Sequence, residues 1–142
     1  MDVLLSIVAT IAFSILYQIP RKAIIPVGIL GMVAELFMIG AQKEHVGEVA
    51  ASFAASLTIS LLSEGFARTL RMPVTIFAVP GIIVLVPGMN AYQTMKDFVT
   101  HHYISGIAMG TETALIAGAL ASGLVMVGVL ARSVWRPRNH VH

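Results

Sequence analysis

The stretch that decides the fold of this chain is Val-Pro-Gly-Ile-Ile-Val-Leu-Val-Pro-Gly-Met-Asn-Ala-Tyr, residues 79–92. It is apolar enough to lie in a bilayer, yet it contains two Pro-Gly pairs, Pro80-Gly81 and Pro87-Gly88, seven residues apart. Each proline removes a backbone hydrogen-bond donor and clashes with the preceding helical turn, and each glycine adopts conformations closed to other residues. The stretch therefore predicts a membrane helix that is broken or unwound at two levels.

Composition indicates that the rest of the chain is also a membrane protein. Hydrophobic residues make up 57% of the 142 residues and charged residues only 11%. A soluble domain has roughly 45–50% apolar and about 25% charged residues. The chain contains no cysteine, which excludes disulfides, thiolate metal ligands and cysteine nucleophiles.

Apolar segments separated by short polar turns predict an all-α fold, a polytopic membrane bundle of five transmembrane helices in a single domain over residues 1–142. A helical span needs about 20 predominantly apolar residues. The predicted spans are residues 3–19, 24–41, 46–67, 74–92 and 104–130. The first two are short, which leaves open a helical hairpin that does not fully cross. Asp2 and the lack of a preceding basic residue favour a retained first span over a cleaved signal peptide.

Basic residues divide unevenly between the two sides of this bundle. One side carries seven of them: Arg21, Lys22, Arg68, Arg71, Arg132, Arg136 and Arg138. The other side carries two, Lys43 and Lys96. Because cytoplasmic loops are enriched in Lys and Arg, we expect the N-terminus outside and the C-terminus in the cytoplasm. Removing one span would mix the two groups, so the division also supports the count of five.

Polar and small residues recur every four positions in three spans, and residues four apart lie on one helix face. Span one has Ser6, Thr10, Ser14 and Gln18. Span three has Glu48, Ser52, Ser56, Ser60 and Glu64. Span five has Gly106, Gly110, Ala114, Gly118 and Ser122. Helix packing explains the span-five stripe. In span three, packing and a hydrophilic pathway lined by Ser56, Ser60 and Glu64 both stay open.

Two glutamates lie within apolar segments, Glu35 in span two and Glu112 about a third of the way into span five. A charged group in lipid is costly, so such a side chain is usually paired, protonated or in contact with water. Burial raises the proton affinity of a carboxyl group. Both are candidate proton carriers, and the alternative is a neutral, hydrogen-bonded structural glutamic acid.

The broken span is the candidate substrate or ion pathway. Backbone carbonyls freed by proline need partners inside protein or in a wet cavity, and transporters use interrupted helices to present backbone groups to solutes. A helix that starts after Pro87-Gly88 would direct its positive end at an anion. The candidate pathway residues here are Pro80, Gly81, Pro87, Gly88, Asn90 and Tyr92. The alternative is a simple kink.

Motifs of enzymes are missing from the sequence, which has no phosphate-binding glycine loop, no His-Glu-x-x-His and no Gly-x-Ser-x-Gly. His101-His102 is a weak metal signal, and we interpret it as solvated. We therefore predict no enzymatic activity, no cofactor and no metal site. The tail segment 135–138 is typical of an interfacial anchor, with Trp at the headgroups and Arg toward anionic lipid.

Residues 79–88, followed by Tyr92, resemble the most characteristic segment of the threonine/serine exporter family. The size and span layout resemble the family's stand-alone small subunit, the YjjB-like proteins, which match the C-terminal half of the fused exporters. The chain departs from the pattern expected of the family at Val84 and Asn90. The resemblance implies a bacterial inner membrane and a separately encoded YjjP-like large subunit as partner. It also implies export of a small amino acid or, in some members, of a dicarboxylate such as succinate.

Together these features predict a subunit of a secondary transporter that moves small zwitterionic or anionic metabolites outward. Five spans are too few to enclose a path alone, so we expect a homo- or hetero-oligomer. The alternative is a membrane scaffold that does not itself transport, in which the stripes are only packing surfaces. An intramembrane enzyme is disfavoured, because no nucleophile and base form a recognisable pair.

Overall fold

The computed structural model describes residues 2–44 and 46–134, which contain six α-helices and one short 3-10 turn. The helices are α1 Asp2–Leu16, α2 Ile24–Lys43, α3 Glu48–Leu70, α4 Thr75–Ile83, α5 Gly88–Val99 and α6 Tyr103–Val134. These residues contain no strand, so the all-α prediction is confirmed for them. The basic tail, with its predicted interfacial anchor, lies outside the described residues.

Three helices end in the same kind of left-handed turn, each built on a residue other than glycine. Gln18, Arg71 and His101 have φ angles of 53°, 53° and 62°. In each turn the next amide donates to a carbonyl five residues back: Ile19 to Ser14, Met72 to Ala67, and His102 to Asp97. Such turns satisfy carbonyls that a helix end leaves without partners. Pro20 and Pro73 then prevent α1 and α3 from continuing.

Helix α3 lies at the centre of the bundle and packs against α2, α4 and α6, while α1 packs on α2 and α5 on α6. The core consists of buried apolar side chains: Ala23, Val27, Leu30, Ala34, Ala55, Ile59, Ala67, Phe77, Leu85, Ile116 and Leu120. Lipid tails are as apolar as these side chains, so association of the helices depends on close packing and on hydrogen bonds between them.

Glycines set the closest approaches between α3 and its neighbours. A Cβ atom added at Gly123 of α6 would clash with the side chain of Ser56 on α3. A Cβ atom at Gly81 of α4 would lie 3.1 Å from Leu30 Cβ and 3.1 Å from Ile59 Cγ2. Small residues at such crossings let the backbones approach, which increases van der Waals contact.

Three helices are long and apolar enough to cross a bilayer by themselves, over Arg21–Ala41, Glu48–Leu70 and Tyr103–Ala131. Helices α4 and α5 are long and apolar enough to cross only when they are taken together, and the pair would then add a fourth span. The apolar part of α1, Leu4–Leu16, is shorter than the roughly 20 residues that a span needs. Helix length and composition thus support three or four spans, and the count of five stays a prediction.

The α4–α5 segment is interrupted once, and the predicted break at Pro80-Gly81 is wrong. Helix α4 continues through both residues, which are buried. Their contacts with α2 and α3 stabilise a helix that lacks only the one hydrogen bond that proline removes. The chain leaves α-helical form over residues 84–87, and α5 begins at Gly88 at an angle of 50° to α4.

The polar segment that follows the break is also helical. The predicted span ended at Tyr92, whereas α5 runs on to Val99. Gln93 and Asp97, two polar side chains of these added turns, find partners within the protein, as described below.

The small-residue stripe predicted for α6 packs only at its beginning. Gly106 is buried and Gly110 half-buried, whereas Ala114, Gly118 and Ser122 are exposed. A helix has about 3.6 residues per turn, so positions four apart advance by about 40° around the axis and the stripe winds out of contact. The buried residues farther along α6 are Ile116, Leu120, Gly123 and Val127.

Candidate functional site

A cleft of about 600 Å³ lies between α3, α4 and the C-terminal part of α6. Most of its wall is apolar, and its polar side chains are Ser60 and Glu64 of α3 and Thr75 at the start of α4. Val86, one of the residues between α4 and α5, also lines it. The cleft therefore joins two features that the sequence analysis treated separately, the polar stripe of α3 and the interruption before α5.

Glu64 is paired within its own helix. Its Oε2 atom accepts from Arg68, at 3.3 Å from Nη2 and 3.4 Å from Nε, and the two residues form an ion pair one helical turn apart. Both also line a second cleft of about 350 Å³ between α3 and α6. Glu64 therefore lies on the walls of two clefts, and Arg68 balances its charge.

The serines of α3 have different surroundings. Ser56 is fully buried at the crossing with α6, and its Oγ atom donates to the carbonyl of Phe53 at 2.8 Å. Ser60 is almost buried but reaches the wall of the larger cleft. The Oγ atoms of Ser52 and Ser63 are buried and have no hydrogen-bond partner among the described residues. Ser60 therefore belongs with Glu64 at the cleft, whereas Ser56 is a packing contact.

The residues predicted for the broken span fall in three places. Pro80 and Gly81 are buried in α4, where Gly81 faces Leu30 of α2 and Ile59 of α3. Pro87 and Gly88 form the start of α5 after the interruption, where the Gly88 amide donates to the carbonyl of Val86 at 2.7 Å. Neither pair lines the larger cleft, although Val86, directly before the second pair, does.

The last two predicted residues point in different directions from α5. Asn90 is half-buried, and it lies on the same helix face as Gln93 and Asp97. Tyr92 is exposed, with 64% of its surface accessible. The two side chains therefore do not meet at one site within this chain.

Asp97 is a buried charged residue that the sequence analysis missed. Its Oδ1 atom accepts from Gln93 Nε2 at 3.0 Å, and its Oδ2 atom accepts from Ser105 Oγ at 2.6 Å. Only 8% of its surface is accessible. The bond from Gln93 lies within α5, and the bond from Ser105 joins α5 to the first turn of α6. The signal was present in the sequence, since Asn90, Gln93, Thr94 and Asp97 have helical spacing.

The polar and apolar faces of α5 are placed in the reverse of the way usual for a surface helix of a water-soluble protein. Its polar face packs on α6, and its exposed face carries Met89, Tyr92, Met95 and Val99, between 64% and 77% accessible. A contiguous exposed apolar patch marks contact with a membrane or with another protein. The arrangement indicates that α5 lies in lipid or against a partner, despite the polar residues in its sequence.

Glu35 of α2 faces α1. Ser6 Oγ donates to Glu35 Oε2 at 2.6 Å, and the next two members of the α1 stripe, Thr10 and Ser14, are fully buried beside it. The side chain of Thr10 meets the backbone of α2 at Gly31, where a Cβ atom would clash. The polar stripe of α1 therefore packs against α2, with Glu35 at one end of the contact.

Glu112 has a different environment. It lies on α6 with its side chain exposed and forms no hydrogen bond with the residues that the structure describes. Glu35 and Glu112 are thus not brought together. Within residues 2–44 and 46–134 no cluster of three or more His, Asp and Glu side chains has the geometry of a metal site.

The long apolar helices, the bent α4–α5 pair and the cleft beside it define a helical, multi-pass membrane protein. Residues 2–130 match the family described as the threonine/serine exporter, ThrE. The chain therefore belongs to the threonine/serine exporter family, which consists of transporters rather than enzymes, as the resemblance of residues 79–92 predicted.

Two curated relatives extend the comparison. The chain is 25% identical over 137 residues to an uncharacterized protein of Haemophilus influenzae, a match that covers 91% of this chain and 46% of the relative. It is 26% identical over 113 residues to a probable threonine/serine exporter of Mycobacterium tuberculosis, covering 79% of this chain and 21% of that protein. This chain therefore spans less than half the length of either relative. No solved structure matches significantly.

Proposed function

We propose that this chain is a subunit of a secondary transporter that exports a small amino acid, such as threonine or serine, across the inner membrane of a bacterium. In this proposal it crosses the membrane five times, with the N-terminus outside and the C-terminus in the cytoplasm. The observation that carries the proposal is the 600 Å³ cleft beside the interrupted α4–α5 segment. Its volume lies in the range of about 300–1,000 Å³ that is usual for small-molecule sites.

The chemistry of the cleft suits a zwitterion. The Glu64 carboxylate can accept the substrate's ammonium group, and Ser60 can hydrogen-bond to a hydroxyl group. The first turn of α5, which begins two residues after the cleft residue Val86, leaves backbone amides without partners inside the helix, and these suit a carboxylate. The protein therefore offers a complementary group to each end of the substrate. The ammonium group of the substrate competes with Arg68 for Glu64.

A dicarboxylate such as succinate is the second substrate class. It has no ammonium group, so it would bind Arg68 and would be repelled by Glu64. The two variants Glu64→Gln and Arg68→Gln separate the classes. With an amino acid substrate Glu64→Gln causes the larger loss of flux, and with a dicarboxylate Arg68→Gln does.

Proton coupling is assigned to Glu35, with Glu112 as the second candidate. Glu35 combines a hydrogen bond from Ser6 with partial exposure, so its carboxyl group can exchange a proton. A carboxyl group within a membrane span is a usual member of proton relays in transporters.

The partner in this proposal is a YjjP-like large subunit. It would supply the region that makes up more than half of each curated relative and that this chain does not match. The alternative, a membrane scaffold that leaves transport to the partner, predicts that variants at the cleft change nothing but assembly.

The test is efflux of labelled threonine and serine, with succinate in parallel, from vesicles that contain this chain, the large subunit or both. The proposal expects flux only when both are present, and a loss of flux in Glu64→Gln at normal complex levels. Equal flux in Glu64→Gln and the unaltered protein would favour the scaffold.

A further inference from the structure

Helix α6 runs parallel to α3 and begins well before it. Gly123 of α6 meets Ser56 of α3, and residues 127–131, farther along α6, line a cleft with residues 61–68 of α3. When this spacing is followed backwards, α6 passes the first residue of α3 and continues. Residues 103–114 of α6 therefore extend beyond that end of α3, by about 18 Å.

Helix α5 lies beside this extension of α6. A Cβ atom added at Gly110 would meet Thr94, and one added at Gly106 would meet Phe98, so the two helices are antiparallel. Among the described residues, α5 has extensive contacts with α6 alone. Helix α5 and residues 103–114 of α6 thus form a helical hairpin that projects from the bundle, and it is called here the projecting hairpin.

Charged residues at the ends of α2 and α3 mark the two surfaces of the hydrocarbon core. One surface carries Arg21, Lys22, Arg68 and Arg71, and the other carries Lys43, Glu44 and Glu48. Helices α2 and α3 have 20 and 23 residues, which corresponds to about 30–35 Å and matches the thickness of the hydrocarbon core. Since the projecting hairpin starts where α3 starts, it stands outside this core, on the surface that carries Lys43.

The exposed side of the projecting hairpin is apolar although lipid tails do not reach it. On α5 it consists of Met89, Tyr92, Met95 and Val99, and on α6 it includes Ile104, which is 90% accessible. Helix α6 is continuous, so the hairpin keeps the direction of the membrane span and stands away from the bilayer surface. A contiguous apolar patch in this position marks contact with another protein.

The exposed Lys96 and Glu112 of the hairpin indicate which protein this is. Lys96 is two residues after Thr94 and therefore lies on the side of α5 opposite to α6. Glu112 is about 120° around α6 from Gly106, on the side away from α5. Neither side chain has a hydrogen bond or an ion pair with the described residues. Each is two residues from the contact of Thr94 with Gly110, so their levels differ by about 6 Å along the hairpin.

We propose that the projecting hairpin joins copies of this chain, with the α5 side of one copy packed against the α6 side of the next. Copies in one membrane have the same orientation and height, so Lys96 of one copy comes level with Glu112 of its neighbour. A symmetric contact between two α5 sides would bring two Lys96 side chains together, which is unfavourable. The contact is therefore head-to-tail, and its repetition about an axis normal to the membrane closes a ring.

This assembly does not depend on what the chain transports. It supplies an apolar partner surface for α5 and an opposite charge for Lys96 from the same neighbouring hairpin. It also places Glu112 in an ion pair outside the hydrocarbon core, which leaves Glu35 as the candidate proton carrier.

Disulfide formation in membranes tests the head-to-tail geometry, because the chain has no cysteine of its own. Met95→Cys is expressed with one epitope tag and Ala108→Cys with another; both positions are exposed and lie at similar levels on opposite sides of the hairpin. Oxidation should give a linked product that carries both tags, and this product should be lost when either variant is expressed alone. Glu48→Cys, exposed at the start of α3, replaces Ala108→Cys as the matched control and should give no product.

Charge reversal tests the ion pair. Lys96→Glu and Glu112→Lys should each lower the oligomeric fraction of the purified protein about tenfold, since like charges then face each other. The double variant restores opposite charges and should recover the oligomer. Lys43→Glu and Glu48→Lys, on the same membrane surface but outside the hairpin, are the controls and should leave the mass unchanged. Light scattering of the protein in detergent measures the mass.

Four results would overturn the proposal. The unaltered protein could be a monomer, or its oligomer could owe its mass to a different polypeptide. Met95→Cys alone could give the main disulfide product, which would show a symmetric contact. The double charge reversal could be no more oligomeric than the single variants, which would show that Lys96 and Glu112 do not pair.

Discussion

Ser6 of α1 donates a hydrogen bond of 2.6 Å to Glu35 of α2, across 29 residues of sequence. The bond joins the two shortest predicted spans at a point where both helices carry polar groups inside apolar surroundings. The second oxygen of the carboxyl group, Oε1, has no hydrogen-bond partner in the described residues. Glu35 is thus positioned by one bond and left with a site at which a proton can bind or leave.

The first prediction concerns Glu35→Gln. Glutamine is similar in size and can still accept from Ser6, so α1 and α2 should pair and the protein should accumulate normally. The amide cannot carry a proton, so efflux driven by a pH gradient should be lost. Vesicle efflux with and without the gradient measures this. Ser6→Ala, which keeps the carboxyl group, should lower the rate and retain the dependence on pH. An unchanged pH dependence in Glu35→Gln would remove the assigned role.

The second prediction concerns the contact between Gly31 and Thr10. A Cβ atom at position 31 would clash with the threonine side chain, so Gly31→Ala should destabilise the protein by about 1–3 kcal/mol through overpacking. Thermal unfolding in detergent measures the change. Gly40→Ala is the matched control on the same helix, because nothing lies within 4 Å of that position. Equal unfolding temperatures for the two variants would show that α1 and α2 are not in this close contact.

The third prediction concerns Asp97. Asp97→Ala removes the acceptor of two hydrogen bonds, one within α5 and one between α5 and α6. It should cost about 1.5–3 kcal/mol, the range for hydrogen bonds to charged groups. Asp97→Asn keeps one acceptor oxygen and should cost less. Thermal unfolding of the two variants and of Ser105→Ala measures this order. The interpretation fails if Asp97→Ala is as stable as the unaltered protein.

The fourth prediction separates the two Pro-Gly pairs. Gly88 has open space around its Cβ position, whereas at Gly81 that position is crowded by Leu30 and Ile59. Gly88→Ala should assemble normally. Because alanine has less conformational freedom than glycine, other backbone conformations at the interruption should become less accessible by about 0.4–1 kcal/mol, which should lower flux about two- to fivefold. Gly81→Ala should lower stability and assembly. Flux per assembled complex is the measurement, and the opposite order of effects would contradict these roles of the two glycines.

Much of the secondary structure was predictable from the sequence. The apolar runs of α2, α3 and α6 were located to within a few residues. The interruption near Pro87-Gly88 was also expected, because proline removes a backbone hydrogen-bond donor and glycine adopts conformations closed to other residues. The error at Pro80-Gly81 has a tertiary cause. The same two residue types remain helical there, because α2 and α3 pack against them on the buried side.

The candidate site was predicted less well, and α5 shows why. The predicted span ended at Tyr92, yet the helix continues to Val99. Asp97 bonds to Gln93 and to Ser105 of α6, and the apolar residues of α5 face outward. Hydropathy cannot distinguish a side chain that faces lipid from one that faces the bundle interior, because both surroundings are apolar. Only the position of the neighbouring helix determines whether the polar side chains of a helix face find hydrogen-bond partners.

The sequence by itself determined that this chain belongs in a membrane, that it is helical, and that one helix is interrupted near Pro87-Gly88. These properties follow from composition and from the backbone chemistry of proline and glycine, which act locally. The tertiary structure alone decided that Ser60 and Glu64 line the cleft beside the interruption, that Ser56 packs against Gly123, and that Glu112 faces outward. Helical spacing places residues on a common face, but the packing of all the helices together determines what that face meets.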